Sequence, residues 1–311
     1  MSVPVAVAVV SWNTRELLRR CLRSLQPEAD AGRARVWVVD NASTDGSREL
    51  VRNEFPDVEL IEPEENLGFG PAVNLVGQLS DSDWIAPSNA DVELLPGALE
   101  RLLDVGAAQE RVGCVAPRLV LPDGSTQHSV YRFPGPALAL ATHFALPRLS
   151  PRLADRLCLL GAWDPDRPRS IDWPVGAFMI VRRRAWEEVG GFDQAQWMFA
   201  EDLDLGWRLA RAGWARRYEP GARVRHFESA ATGDAFGAGR TARTMEATYD
   251  WMLRRRGRAF TRATASIAAG AMALQLGVTA PLARVAPRRF SSRRDRARFW
   301  VGIHRYGLRR A

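Results

Sequence analysis

Val3-Pro4-Val5-Ala6-Val7-Ala8-Val9-Val10 carries no polar side chain, and Ser11-Trp12-Asn13 follows it at once. An apolar run of this length without alternation marks a strand covered on both faces, as in a parallel sheet. Residues 15–25 then place Leu17, Leu18, Cys21, Leu22 and Leu25 at helical spacing, and Asn13 or Thr14 can cap that helix. The alternation repeats. Strands are predicted at 36–39, 58–61 and 84–86, and helices at 47–54, 70–79 and 96–105. This order predicts an α/β fold with a doubly wound, mostly parallel sheet and helices on both faces.

From about residue 112 the pattern changes. Residues 112–121, 173–182 and 215–218 read as strands, and 185–189 and 201–212 as helices. Residues 122–172 are loop-rich, dotted with proline, aromatics and arginine. The expected organisation is a domain over 1–238, with a nucleotide half (1–111) and an acceptor half (112–238). A basic helical tail covers 239–311.

A chain of 311 residues with 46% apolar side chains can bury a full-size core. The apolar start lacks a basic region before it, so a buried strand is expected rather than a secretory signal. Cys21, Cys114 and Cys158 have neither metal-site nor disulfide spacing, which predicts reduced thiols in a cytosolic setting. Charge is uneven. Residues 240–311 hold 17 Arg against 3 acids, whereas residues 1–239 hold 26 Arg against 33 acids. The cationic surface therefore belongs to the tail.

In α/β sheets ligands bind beyond the carboxyl ends of the strands. Three polar clusters fall at such ends: Ser11-Trp12-Asn13, Asp40-Asn41-Ala42-Ser43-Thr44-Asp45-Gly46-Ser47 and Ser88-Asn89-Ala90-Asp91. Asp40 is placed to accept hydrogen bonds from a ribose or a base edge. Asp45-Gly46 reads as a turn. Asn66-Leu67-Gly68-Phe69-Gly70 opens the helix that carries Asn74, and its glycines let backbone approach a phosphate at the helix N-terminus. It follows the third strand and lacks a third glycine on schedule, which disfavours a nicotinamide or flavin enzyme. Ser11, Asn13, Asp40, Asn41, Asn66, Gly68, Asn74 and Asn89 are the nucleotide-binding candidates. Asp91 is the candidate metal ligand, since phosphate-carrying cations use one or two carboxylates plus the diphosphate itself. The alternative for Asp91 is a helix cap.

In the second half, Trp197-Met198-Phe199-Ala200-Glu201-Asp202-Leu203-Asp204 sets carboxylates in the first turn of a helix, where the dipole favours negative charge. With Leu203 and Trp207 toward the core, Asp202 points to the sheet rim and could serve as a general base, with Glu201 beside it. An acidic helix start paired with Arg208 is the plain alternative. Trp197 and Phe199 are flat platforms suited to an acceptor sugar. His226, after the last predicted core strand, could complete a metal site or touch a diphosphate.

Taken in order, Val-Ser-Trp-Asn, Val-Val-Asp-Asn-Ala-Ser-Thr-Asp-Gly-Ser, Asn-Leu-Gly-Phe-Gly-Pro-Ala-Val-Asn, Ser-Asn-Ala-Asp, Gly-Gly-Phe-Asp and Glu-Asp-Leu-Asp-Leu resemble the family 2 glycosyltransferases, closest to the bacterial rhamnosyltransferase-like group. The resemblance runs from about residue 3 to 229. It implies a GT-A fold, a nucleotide-diphosphate sugar donor (dTDP- or UDP-sugar), Mg2+ or Mn2+, and inversion at the anomeric carbon. By motif position, Asp40 would contact the nucleoside, Asp91 would bind metal, Asp202 would be the base and His226 would assist at the diphosphate. The usual Asp-x-Asp is here Asn89-Ala90-Asp91, which leaves one carboxylate and predicts a weaker hold on metal. The acceptor would be a glycan or a lipid-linked sugar. A catalytically silent sugar- or lipid-binding scaffold of the same fold is the rival, and product formation separates the two.

Residues 263–283 carry no charge and are flanked by Arg262 and Arg284. As a helix they would span about 31 Å. Gln275 and Pro281 interrupt the stretch, so an interfacial or packed helix is expected. The arginine clusters at 254–258, 288–298 and 309–310 would face anionic headgroups on the cytoplasmic side of the inner membrane. Nucleic acid is not expected as a partner, because the aromatics lie in the acidic half and not among the arginines.

Overall fold

The computed structural model of the chain describes residues 4–144, 150–196, 198–227 and 239–311. Its first part follows the expected alternation: β1 (Val5–Ser11), α1 (Arg15–Asp30), β2 (Ala34–Asp40), α2 (Ser47–Glu54), β3 (Glu59–Ile61), α3 (Phe69–Leu79) and β4 (Trp84–Asn89). Next come β5 (Val92–Leu94), α4 (Ala98–Ala107), β6 (Val112–Val120), β7 (Val130–Tyr131), α5 (Pro136–His143) and α6 (Pro151–Arg156). β8 (Arg169–Ser170), β9 (Trp173–Pro174) and β10 (Ile180–Arg182) lead to α7 (Arg183–Val189), α8 (Glu201–Arg211) and β11 (Ala215–His226). α9 (Arg240–Arg256), α10 (Arg258–Val285) and α11 (Pro287–Arg310) follow. By contact, Met1–Tyr131 and Asp164–Ala238 form one compact unit, and Arg132–Trp163 joins Gly239–Ala311 in a second. Residues 132–163, read from sequence as part of the acceptor half, thus cluster with the basic helices.

The first unit is built on a mixed sheet of order β3-β2-β1-β4-β10-β6-β11-β5, with β8 paired to β11. β1 pairs in parallel with β2 and β4, and β2 with β3. Val5 to Val9 are wholly buried, as the unbroken apolar run requires. β10 enters antiparallel between β4 and β6. β11 runs parallel to β6 but antiparallel to β5 and β8. Side chains of β1, β2, α1, α2, β4, α4 and β6 share one core, which includes Leu18, Leu22, Val36, Val38, Leu50, Leu99 and Val115.

Three departures from the sequence reading shape the site. β11 does not end at Tyr218. It passes Glu219-Pro220-Gly221 with a register shift and continues to His226. A Pro-Gly pair reads as a turn in isolation, yet here it is absorbed as an irregularity within one strand. β5 is a short strand that periodicity could not find, and it pairs with that extension, His226 opposite Val92. The strand expected over 173–182 is broken. Only 173–174 and 180–182 are strands, and the intervening backbone turns toward α8.

In the second unit, α10 and α11 pack together as an antiparallel pair joined at Ala286, and the Arg258 guanidinium donates to the Ala311 carbonyl at 2.8 Å. α9 packs on α11, where the Tyr249 hydroxyl meets His304 Nδ1 at 2.7 Å in a buried contact. α5 packs on α10, and Phe260 occupies the space beside Gly135. Pro281, expected to interrupt the segment, lies inside α10 and close to its end. There it removes one i→i−4 hydrogen bond from the last turns without ending the helix.

Candidate active site

Strand register brings the three expected clusters to one rim. Ser11 pairs with Asp40, and Val10 with Asn89, so the ends of β1, β2 and β4 stand level. The loops beyond them are tied together. Asn13, with φ of 53°, accepts from the Thr44 N–H at 2.8 Å and donates its own N–H to the Ser43 hydroxyl at 2.9 Å. Asp45 accepts from the Arg15 N–H at 2.9 Å and from the Ser47 N–H at 3.1 Å. It therefore serves the start of α1 as well as α2, a task the sequence assigned to Asn13 or Thr14.

Several nucleotide candidates converge. Asp40 is fully buried; its Oδ1 accepts from the Ser43 N–H at 2.8 Å and from Arg48 at 2.9 Å. Its Oδ2 is buried with no hydrogen-bond partner. The Asn41 amide donates to the Gly68 carbonyl at 3.1 Å, while its Oδ1 is likewise buried and unpartnered. Unmet buried acceptors are costly, and each calls for a donor such as a ligand, an ion or an ordered water. Ser11 is buried against Thr14, their hydroxyls 3.1 Å apart. Asn66 accepts from the Gly68 N–H at 2.9 Å and so shapes the turn that opens α3. Asn74 differs from expectation. Its amide donates to the Phe192 carbonyl and its oxygen accepts the Phe192 N–H, both at 2.9 Å. Both ends are used on the Gly190-Gly191-Phe192-Asp193 turn, so Asn74 is a tie between α3 and that turn rather than a nucleotide ligand. Gly191, at φ 66°, must be glycine: a Cβ would lie 2.5 Å from Asn74 Oδ1.

The acidic pair heads α8. Phe199 and Ala200 precede it with φ of 65° and 62°, two consecutive left-handed non-glycine residues. Such conformations cost about 1–3 kcal/mol each and concentrate at functional sites. The Gln196 amide holds the Phe199 carbonyl at 2.7 Å. Trp197, the other acceptor candidate, lies outside the described residues. Asp202 accepts from the Gly176 N–H at 3.0 Å and from the Leu203 N–H at 2.7 Å. Phe69, at the start of α3, borders the same space beside Gly176 as Asp202 does, each 3.6 Å from where a Cβ would stand. Arg208, the expected alternative partner, pairs with Asp204 at 2.6 Å instead. Trp207 is only half-buried; Leu203, Leu205 and Leu209 supply the buried face.

Burial raises both carboxyls of the pair. Asp202 is pushed up to about 6, with the two backbone N–H donors working against the rise. Glu201 is pushed up to about 8 by burial and by the Asp202 charge, and its Oε2 is buried without a partner. The two titrate as a pair. Asp202 has the better-supported anion, so it ionises first and Glu201 keeps the proton at neutral pH. Of the two expected catalytic acids, Asp202 is the one whose carboxylate receives backbone N–H donors from two residues.

Asp91 and His226 meet because β5 pairs with β11. Asp91 Oδ1 and His226 Nε2 lie 3.3 Å apart, on side chains only 8% and 4% exposed. Neither atom has a hydrogen-bond partner. Two buried ligand atoms side by side fit an edge of a divalent cation's coordination sphere, about 3 Å for metal–ligand bonds of about 2.1 Å. Among the described residues no group of three His, Cys, Asp or Glu forms a closed metal cage. One carboxylate and one imidazole therefore suit a cation that arrives with a diphosphate and completes its shell from it. Sequence reasoning missed Gln127, whose Oε1 lies 2.7 Å from His226 Nδ1. It also missed the backbone of Gly176-Ala177. Gly176 binds Asp202, and the Ala177 carbonyl accepts the Asn89 N–H at 2.9 Å. That two-residue segment joins the Asp202 carboxylate to the Ser88–Asp91 turn.

Residues 6–150 match Glycosyl transferase family 2, and residues 169–282 match Glycosyl transferase family group 2. The chain is 33% identical over 244 residues to N-acetylglucosaminyl-diphospho-decaprenol L-rhamnosyltransferase of Mycobacterium tuberculosis, covering 75% of this chain and 79% of that protein. It is 42% identical over 57 residues to rhamnosyltransferase WbbL of Escherichia coli, covering 18% and 22%. Among solved structures, mannosyltransferase PcManGT from Pyrobaculum calidifontis, in complex with GDP-Man and Mn2+, shares the fold with a TM-score of 0.60 at 19% identity, over 98% of this chain and 85% of that one. With GT-A architecture and these relatives together, the chain belongs to glycosyl transferase family 2 and is a glycosyltransferase of its rhamnosyltransferase-like group.

Proposed function

We propose that the chain transfers a sugar, rhamnose by the similarity of its relatives, from a dTDP- or UDP-linked donor to a hydroxyl of a glycan or lipid-linked acceptor, with inversion. The observation that carries this reading is the Gly176-Ala177 segment, which touches the Asp202 carboxylate on one side and the Asn89 backbone on the other. Asp40 and Asn41 hold the nucleoside through their unmet oxygens. The acceptor oxygen attacks the anomeric carbon and its proton passes to Asp202. The bond from that carbon to the diphosphate oxygen breaks, and the nucleoside diphosphate leaves with the electron pair. A single in-line displacement needs only one base. Asp91 and His226 would hold Mg2+ or Mn2+, which supplies positive charge to the leaving diphosphate when bound. Glu201, protonated, lowers the negative charge facing the incoming donor.

The second unit serves, in this reading, as a peripheral anchor on an anionic membrane at the cytoplasmic face. α10 has a mean hydropathy of 1.4 over its most apolar stretch, which is only 22% buried. Leu274, Val278, Leu282 and Val285 are 66%, 56%, 39% and 86% exposed. They recur on one face of α10; exposed Arg284 lies beside its end, and exposed Arg288 and Arg289 follow. An apolar stripe bordered by arginine is the pattern of a helix lying in a lipid interface.

The test is a thermal-shift screen of UDP-, dTDP- and GDP-sugars with and without Mn2+, followed by product analysis with the donor that stabilises. A ligand that binds only the native state raises the melting point, and the rise grows with the logarithm of its concentration over Kd. Sugar transfer that survives intact in Asp202→Ala would remove the proposed base. Donor binding with no product from any acceptor would favour the silent scaffold.

A further inference from the structure

Gln127 lies outside the roles assigned above, although it touches the site. It arrives on a tight return after β6. Asp123 Oδ1 accepts from the Ser125 N–H at 2.9 Å, Gly124 takes φ of 84°, and the Gln127 N–H bonds back to the Leu119 carbonyl at 2.9 Å. An Asp-Gly pair is suited to such a reversal. Since β6 lies beside β11, the return delivers the Gln127 side chain to His226.

We propose that Gln127 is a positioning residue that selects the His226 tautomer with its hydrogen on Nδ1, and so keeps the Nε2 lone pair available to a divalent cation or diphosphate. A neutral imidazole has one N–H and one lone pair, and the partner of one nitrogen decides which it bears. The Gln127 oxygen, 2.7 Å from Nδ1, requires a hydrogen there. Without that acceptor the hydrogen can move to Nε2. Nε2 is already 3.3 Å from Asp91 Oδ1, so a small rotation would let the two bond to each other. Both would then be occupied, and neither would serve a ligand. Gln127 prevents this closure. Partners of this kind, behind a metal-binding histidine, commonly alter metal affinity by about 10- to 100-fold when removed. The inference rests on the proposed role of Asp91 and His226.

The experiment uses the full chain. It has four histidines, so selective imidazole 15N labelling yields few signals, and the His226→Ala variant identifies the one that matters. The wild type is expected to show a protonated Nδ1 and a bare Nε2 at His226; a protonated Nε2 would overturn the proposal without any variant at Gln127. Gln127→Leu should move the hydrogen to Nε2 and weaken Mn2+ binding in the presence of dTDP about 10- to 100-fold, read by electron paramagnetic resonance titration. Gln127→Glu, which keeps an acceptor, should restore the tautomer and most of the affinity. Equal losses in Leu and Glu variants would show that Gln127 only packs, and would overturn the proposal. If His226→Ala weakens Mn2+ binding but Gln127→Leu does not, the Gln127 proposal alone fails. If His226→Ala leaves Mn2+ binding unchanged, the metal reading itself fails.

Discussion

Asp202→Asn separates the proton-accepting role of this side chain from its structural one. The amide keeps the size of the carboxylate and an oxygen for the Gly176 N–H, but it cannot take a proton from an acceptor hydroxyl. Loss of a general base lowers turnover by about 10²- to 10⁴-fold, or about 3–5 kcal/mol of barrier. In the wild type, with Asp202 raised to about 6, kcat/KM should fall below that pH, about tenfold for each further unit, because this ratio reports the free enzyme's ionisation. The same shift affects stability, and the sign follows from proton uptake. The folded-state values of Asp202 and Glu201 lie above the unfolded ones, so the native protein retains protons that the unfolded chain has released. The stability this pair contributes is complete below about pH 4 and is lost as pH rises through about 6 and then about 8. For Asp202 alone the loss is on the order of 3 kcal/mol. Urea unfolding at pH 5 and pH 8.5, in wild type and variant, reads the pair, since titrating groups other than Glu201 cancel in the comparison. The variant should lose less stability over that range, by about 1.4 kcal/mol for Asp202 itself, since only about one pH unit between its unfolded and folded values lies above pH 5. Equal losses, or a wild-type kcat/KM that is flat from pH 5 to 8, would refute a desolvated base at this position.

Asp91→Asn and His226→Ala should each weaken Mn2+ binding, measured by titration with dTDP present, while the far-ultraviolet circular dichroism stays unchanged; unaltered affinity in both would remove the cation site. Asn74→Ala strands the N–H and carbonyl of Phe192 and should cost about 2–4 kcal/mol in denaturant unfolding, and donor KM at permissive temperature should hold if Asn74 is only a tie. Arg48→Met leaves Asp40, whose side chain is 1% exposed, with the Ser43 N–H as its remaining hydrogen-bond donor. It should destabilise the protein by about 1–3 kcal/mol and weaken dTDP binding, and a neutral outcome by calorimetry would count against a buried charge there. Val278→Asp with Val285→Asp should reduce sedimentation with phosphatidylglycerol vesicles and leave transfer to a soluble acceptor intact; unchanged sedimentation would argue against the α10 stripe as a lipid contact.

How much of this was legible in the chain follows from the range of the forces involved. The alternation of β1 to β4 with α1 to α3 is local, because burial on both faces writes itself as an unbroken apolar run such as Val5 to Val9. Where a parallel strand ends, polar residues begin, so Ser11, Asp40 and Asn89 could be placed at one rim before any coordinates. The acids of Glu201-Asp202 were equally visible as the first turn of a helix. Pairing is different, since no periodicity names a strand's partner. The extension of β11 through Pro220-Gly221 and its pairing with β5 put His226 beside Asp91, residues 135 positions apart in the sequence. The break after β9, the turning of the Gly176 N–H toward Asp202, and the use of Asn74 on Phe192 are likewise decided by which backbone groups were left without a partner once the sheet closed. Gln127 belongs to the same class: a glutamine in a turn-rich stretch says nothing alone, and only the neighbouring strand supplies its histidine. The sequence by itself determined the alternation from β1 to β4, the rim at which those strands end and the polar groups it carries, because those depend on near neighbours. Tertiary structure decided how deeply each carboxylate is desolvated, which backbone donors it receives and which atoms face one another, because these depend on contacts between residues far apart in the chain.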